Sequence, residues 1–189
     1  MLALLFFLSL IVAPAPPPSH PVRVVFVEPT PLDEAAHAPL RAEVNAALAY
    51  WQGAPCAPTF PIISEAAVTI PDAHEGVGWL NDLAQPGVIT IAIVTTPGMV
   101  DLGGYGAYGY HREWGDHVLF AVAGGMPGAS LGAIVAHELG HAFGLPHLVD
   151  ATPKDLMEFP EPAYSTKYLS AADVAAVCAA PAQQALWKE

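Results

Sequence analysis

Apolar and polar positions recur with two different periods along this chain, and the changes of period mark its elements. Residues 22–27 form a short β-branched run, Val22, Val24, Val25, Phe26 and Val27 around Arg23, which predicts a strand. From Asp33 to Trp51 the apolar positions Leu40, Val44, Leu48 and Trp51 return at three- and four-residue intervals, predicting a helix that ends before Gly53. Further strands are predicted at 62–70 and 88–95, the second nearly all apolar, as a strand covered on both faces would be. A Gly- and Tyr-rich stretch at 103–109 precedes another apolar run at 118–123, read as a buried strand. Ser130 then offers an N-cap to a helix opening on Leu131, Ala133, Ile134, Val135 and Ala136. A last helix begins at Ser170 with a capping-box-like start and carries Val174, Val177 and Cys178 on one face. No internal repeat is visible. The order of elements indicates a mixed α/β (α+β) fold, a sandwich around one twisted sheet in a single domain over residues 22–189.

Chemistry concentrates where the second long helix should end. The chain there reads His137, Glu138, Leu139, Gly140, His141, Ala142, Phe143, Gly144, Leu145, Pro146, His147. Helical positions four apart share a face, so His137 and His141 can offer imidazole nitrogens to one ion. Glu138 sits one residue round from the first of them, placed to accept a proton from water rather than to coordinate. Gly144 can take the left-handed conformation that ends a helix and reverses the chain, bringing His147 back as a third ligand. Three neutral imidazoles with a fourth position open describe a catalytic zinc site rather than a closed structural one. The bland reading is an amphipathic helix with packed or surface histidines, and the whole motif is too specific for it to be preferred.

With those residues in place, the chain resembles the metzincin clan of zinc endopeptidases, whose pattern is HExxHxxGxxH followed by a methionine-containing turn. The stretch from Asp150 to Pro160 is similar to that turn, and Met157 matches the methionine that lies beneath the metal as an apolar floor. The His-Leu-Gly run and the 150–160 stretch are most similar to the matrixin branch. Two metzincin branches place a zinc-ligating tyrosine two residues beyond the methionine; Phe159 stands there and has no donor atom. Specific identity is confined to residues 137–160, while upstream the likeness is one of element order. The resemblance implies a twisted, mostly parallel sheet of about five strands with an antiparallel edge strand, an active-site helix and a C-terminal helix. It implies a zinc endopeptidase with Glu138 as general base, His137, His141 and His147 as ligands of one catalytic ion, and an extended peptide or protein substrate. Substrate would pair with the edge strand, for which residues 105–111 are the candidates, with 118–123 behind. Tyr105, Gly106 and Tyr108 would then meet substrate backbone, and Pro160 and Tyr164 would wall the specificity pocket. A zinc-binding pseudoenzyme that holds peptide or protein partners without cleaving them is the alternative, but it has no need of Glu138.

Composition narrows the setting. Six Lys and Arg against 18 Asp and Glu give a net charge of −12, which repels phosphate backbones and anionic lipid; nucleic acid is not an expected partner. The apolar run at 2–12, followed by a proline cluster, suits a secretory signal over residues 1–15, with 16–21 as a stiff Pro-rich linker. No Lys or Arg precedes that run, and the runner-up is an uncleaved anchor or buried strand. The expectation is a secreted or periplasmic monomer with no stable membrane association after signal cleavage. Cys56 and Cys178, the two cysteines, most simply pair as one disulfide in an exported protein. Matrixin proenzymes instead silence zinc with a prosegment cysteine, but the residues around Cys56 lack the pattern of that switch. His37, His74, His111 and His117 are read as solvated histidines, since the family's second structural zinc has no matching local sequence and no calcium loop is recognisable. A second zinc or calcium is therefore not expected.

Overall fold

A computed structural model of the chain describes residues 19–53, 59–69, 74–75, 82–95, 100–101, 109–111, 118–123, 130–142, 145–147, 156–157, 171 and 174–175. The elements are β1 (Val22–Glu28), α1 (Glu34–Gln52), β2 (Ile62–Thr69), β3 (His74–Glu75), β4 (Ile89–Val94), β5 (Val100–Asp101), β6 (Gly109–His111), β7 (Val118–Val122) and α2 (Leu131–Ala142). The main sheet runs in the order β2-β1-β4-β7-β6. β1 lies parallel to both β2 and β4, β4 parallel to β7, and only β6 is antiparallel, against β7. β3 and β5 form a separate two-residue parallel pair. The result is a mixed α/β architecture with a small, mostly parallel sheet and two long helices.

Strand β4 shows why the sheet is stable. All six of its residues are buried, as its nearly all-apolar sequence leads one to expect, Thr90 included. Ile89, Ile91 and Ile93 meet the helices, while Ala92 and Val94 are buried on the opposite face. Full burial of one such isoleucine is worth about 1.5–3 kcal/mol. Val22, Val24 and Phe26 of β1 and Leu119 and Ala121 of β7 continue the helix-facing side, and the two helices supply Val44, Leu48, Trp51, Ile134, Val135 and Leu139 to the same core.

Helix α1 begins where its sequence signal stands. The Asp33 carboxylate accepts the Ala36 N–H at 2.9 Å, and Glu34 adds negative charge to the first turn, where the helix dipole favours it. The stripe read from periodicity faces the core: Val44, Leu48 and Trp51 are buried and Leu40 packs against them. Arg41 forks to Glu34 on its own helix and to Glu65 on β2, tying the helix to the sheet's outer strand. Glu34 is exposed and Arg41 and Glu65 are partly so, and the network contributes little to stability.

The same stripe corrects one expectation. His37 is not solvated: it is 8 % exposed, stacked on Phe26 at 4.3 Å, with Nε2 3.0 Å from Glu28 Oε2. Position 37 lies seven residues before Val44, two helical turns along the core-facing side, so it points at the sheet whatever its polarity. Glu28 at the end of β1 supplies the partner that makes the burial tolerable.

Among the described residues no helix is long and apolar enough to cross a membrane. Ala171, Val174 and Ala175 are helical; the rest of the expected C-terminal helix, the 1–15 segment, Cys56 and Cys178 lie outside the described residues.

Candidate metal centre

Helix α2 carries the histidine motif and is held at both ends. At its start the Ser130 hydroxyl accepts the Ala133 N–H at 3.1 Å, and the Glu43 carboxylate, reaching across from α1, accepts the Gly132 N–H at 2.9 Å. Two of the helix's four orphan donors are thereby satisfied. At its far end the Leu145 N–H bonds back to the Gly140 carbonyl at 3.0 Å. That six-to-one bond belongs to the helix terminus in which a left-handed residue follows the cap. Gly144, expected from the sequence to end the helix, lies outside the described residues. Leu145 turns into the core, and His147 follows it back toward the helix.

Three imidazoles meet as a consequence. His137 Nε2 lies 3.1 Å from His147 Nε2, and His141 Nε2 lies 3.0 Å from the same atom. The second nitrogen of each helical histidine has a backbone partner: His137 Nδ1–H donates to the Leu156 carbonyl at 2.6 Å, and His141 Nδ1–H to the Leu145 carbonyl at 2.7 Å. A carbonyl oxygen only accepts, so both Nδ1 atoms must carry the proton. In a neutral ring that leaves both Nε2 atoms unprotonated, as acceptors, and both face His147 Nε2. A single N–H on His147 can serve at most one of them well. Three nitrogens converging this way, with ligand atoms all within 4.8 Å of one another, suit a cation at their centre.

The donor set also fits zinc. Zn–N bonds of about 2.0–2.1 Å in tetrahedral geometry separate ligand nitrogens by about 3.3 Å, close to the separations found. Carbonyls that hold the Nδ1–H of a ligating histidine are the usual outer support of such a site. Glu138 is 6 % exposed and follows His137 on the helix. Met157 is fully buried, and its side chain lies against Gly140 of α2, one turn from His137 and next to His141.

Partial desolvation of His147, which is otherwise exposed, and secondarily the neighbouring His141 push the His147 pKa below the ordinary histidine value. Because the folded pKa is the depressed one, the unfolded chain binds more protons between that value and about 6.5, so stability rises with pH through this window and is lost on acidification. We expect zinc-stripped protein to lose stability between about pH 6.5 and pH 5, and His147→Gln to lose less over the same interval. His20, whose pKa burial also lowers, leaves a residual slope in the variant. Urea titrations at the two pH values check this.

Of the other residues implicated by sequence, β6 and β7 pair as expected, with Gly109 opposite Ala121 and His111 opposite Leu119. Tyr105, Gly106, Tyr108, Pro160 and Tyr164 lie outside the described residues. Trp51 was legible only as a core residue. Its indole N–H donates to the Ala136 carbonyl at 2.8 Å, immediately before the first histidine.

No protein-family model matches the chain, and no curated protein matches it. Solved structures do. The archaemetzincin of Methanopyrus kandleri matches with a TM-score of 0.58 and 12 % identity over 84 % of this chain and 94 % of its own. A zinc-dependent peptidase of Methanocorpusculum labreanum (strain Z) matches with a TM-score of 0.51 and 16 % identity, covering 82 % of this chain and 99 % of its own. Metalloproteinase-II of Bacteroides fragilis gives 0.51 and 16 %, over 89 % of this chain and 56 % of its own. At such identities the likeness concerns the fold. It is a fold found in zinc peptidases, and it does not reach the finer matrixin branch.

Proposed function

We propose that this protein is a zinc-dependent endopeptidase, exported from the cell, that hydrolyses peptide bonds in extended protein segments. The observation that carries this reading is the convergence of His137, His141 and His147 through their Nε2 atoms, with the opposite nitrogens of His137 and His141 committed to carbonyls. Fold likeness to zinc peptidases supports it. The three Nε2 atoms would hold one ion, which when bound supplies Lewis acidity and lowers the pKa of water from about 15.7 towards 7. Glu138 takes the proton from the attacking water and returns it to the departing amide nitrogen.

Substrate is read by backbone pairing. Among the described residues β6 ends the sheet, with β7 on one side only, so its outer edge can accept an extended peptide as a further antiparallel strand. Met157, buried against Gly140, would give the ion an apolar floor, and the protein acts as a secreted monomer stapled by Cys56 and Cys178. The likeness of the 150–160 stretch favours a matrixin-type cleft.

The test pairs metal with chemistry. Purified protein should contain about one zinc per chain and cleave casein or a fluorogenic peptide, with activity lost to a chelator and restored by zinc. Product ends mapped by mass spectrometry give the preference. His137→Ala should lose both zinc and turnover. Zinc bound without cleavage of any substrate would instead favour the non-cleaving binder.

A further inference from the structure

The mechanism uses one strip of α2, and a neighbouring strip is gripped by α1 at every turn. Gly132 N–H meets the Glu43 carboxylate, the Ala136 carbonyl meets the Trp51 indole, and Gly140 abuts the Trp51 ring. At 100° per residue these positions advance only 40° per step, so they form one line along the helix. His137 and His141 each stand 100° further round, on the adjacent strip. The approach leaves no room for a side chain at 132 and is tight at 140. A Cβ at 132 would sit 2.9 Å from the Glu43 carbonyl oxygen, and one at 140 would sit 3.2 Å from Trp51 Cζ2.

The Trp51 bond is unusual in kind. A helical carbonyl at 136 is the ordinary acceptor for the N–H four residues on, so the indole adds a second donor to a helix interior rather than capping an end. The carbonyl it holds belongs to the peptide plane joining Ala136 to His137. Fixing that plane fixes the rotation of the helix at its first histidine. The tolerance is small: turning α2 by 10° would carry an imidazole nitrogen, about 6 Å from the axis, through about 1 Å. Metal–ligand distances are held to about 0.2 Å.

We infer that Trp51 is a positioning residue for the metal centre, its indole N–H setting the rotation of the histidine helix through the Ala136 carbonyl. This rests on the reading that the three histidines hold zinc. The experiment measures zinc affinity by chelator competition, alongside Tm of the stripped proteins. Position 51 is replaced by β-(3-benzothienyl)alanine, which keeps the ring and removes the N–H, and separately by phenylalanine (Trp51→Phe). Leu48→Ala, a buried site one turn earlier on α1, serves as a control for general core damage. Both Trp51 replacements should weaken zinc binding about tenfold, in the range found for groups that orient ligands from outside the coordination sphere. Leu48→Ala should lower Tm more than the isostere does while changing zinc affinity less than about twofold. An isostere that binds zinc as tightly as wild type overturns the assignment, as does a Leu48→Ala protein with an equal loss of affinity. Wild-type protein that binds no zinc overturns the metal reading and this inference together.

Discussion

Glu138→Gln should retain zinc and lose turnover by about 10²–10⁴-fold, the usual range for removing a general base. The substitution preserves side-chain volume, so packing around this buried position changes little. It also leaves the three imidazoles and the two carbonyl partners of His137 and His141 intact, because neither Nδ1 contact runs through residue 138. Zinc content and Tm should therefore match wild type while kcat collapses. The pattern separates roles that His137→Ala would confound, since that variant loses the ion as well. A Glu138→Gln enzyme with wild-type kcat would end the general-base assignment. Equal loss of zinc and activity would instead make Glu138 part of the ion's support.

How much of this was legible beforehand follows from which physical signal each element carries. The motif helix could be read because its chemistry and periodicity coincide: Ser130 caps it, the apolar run buries it, and the histidines repeat at the helical interval. Strands β1 and β4 could be read because strands covered on both faces have no polar side to alternate with. The β6–β7 pair was located by its context, though only residues 109–111 of the edge segment are among those described. Two-residue strands β3 and β5 carry too few positions for any period.

Two polar contacts were hidden for a different reason. His37 sits on the core-facing side of α1 by its spacing from Val44, but its polarity assigns it to solvent, since the partner that makes its burial tolerable, Glu28, belongs to another element. Trp51 was placed in the core correctly, but periodicity counts a tryptophan as apolar bulk and is silent about its N–H. Its destination, Ala136, lies 85 residues away. Both cases need the tertiary fold before the partner exists. The general lesson is that sequence pattern locates faces, while donor–acceptor pairing across elements must be seen.

Gly140→Val should destabilise the protein by about 3 kcal/mol or more, for a reason that helix propensity would miss. Glycine in a helix interior is disfavoured against alanine by about 1 kcal/mol, so an exposed Gly140 would be improved by replacement. Here a Cβ would overlap the Met157 sulphur and lie 3.0 Å from its terminal methyl and 3.2 Å from Trp51 Cζ2. Met157 is flexible, yet it is fully buried against Leu156 and the core, so yielding space means moving neighbours. Overpacking of a dense core costs about 1–3 kcal/mol for small insertions, which already outweighs the propensity gain; valine's branched methyls add to it. For a chain of this size the expected loss lowers Tm by about 6–12 °C. The contact can be isolated by a double-mutant cycle with Met157→Ala, which opens a cavity of its own and costs about 2–5 kcal/mol alone. Because the added methyls can occupy that cavity, the double variant should be more stable than the sum of the single losses by 1 kcal/mol or more. Strict additivity, or a Gly140→Val protein as stable as wild type, would show that Met157 does not seat in the groove beside the histidines.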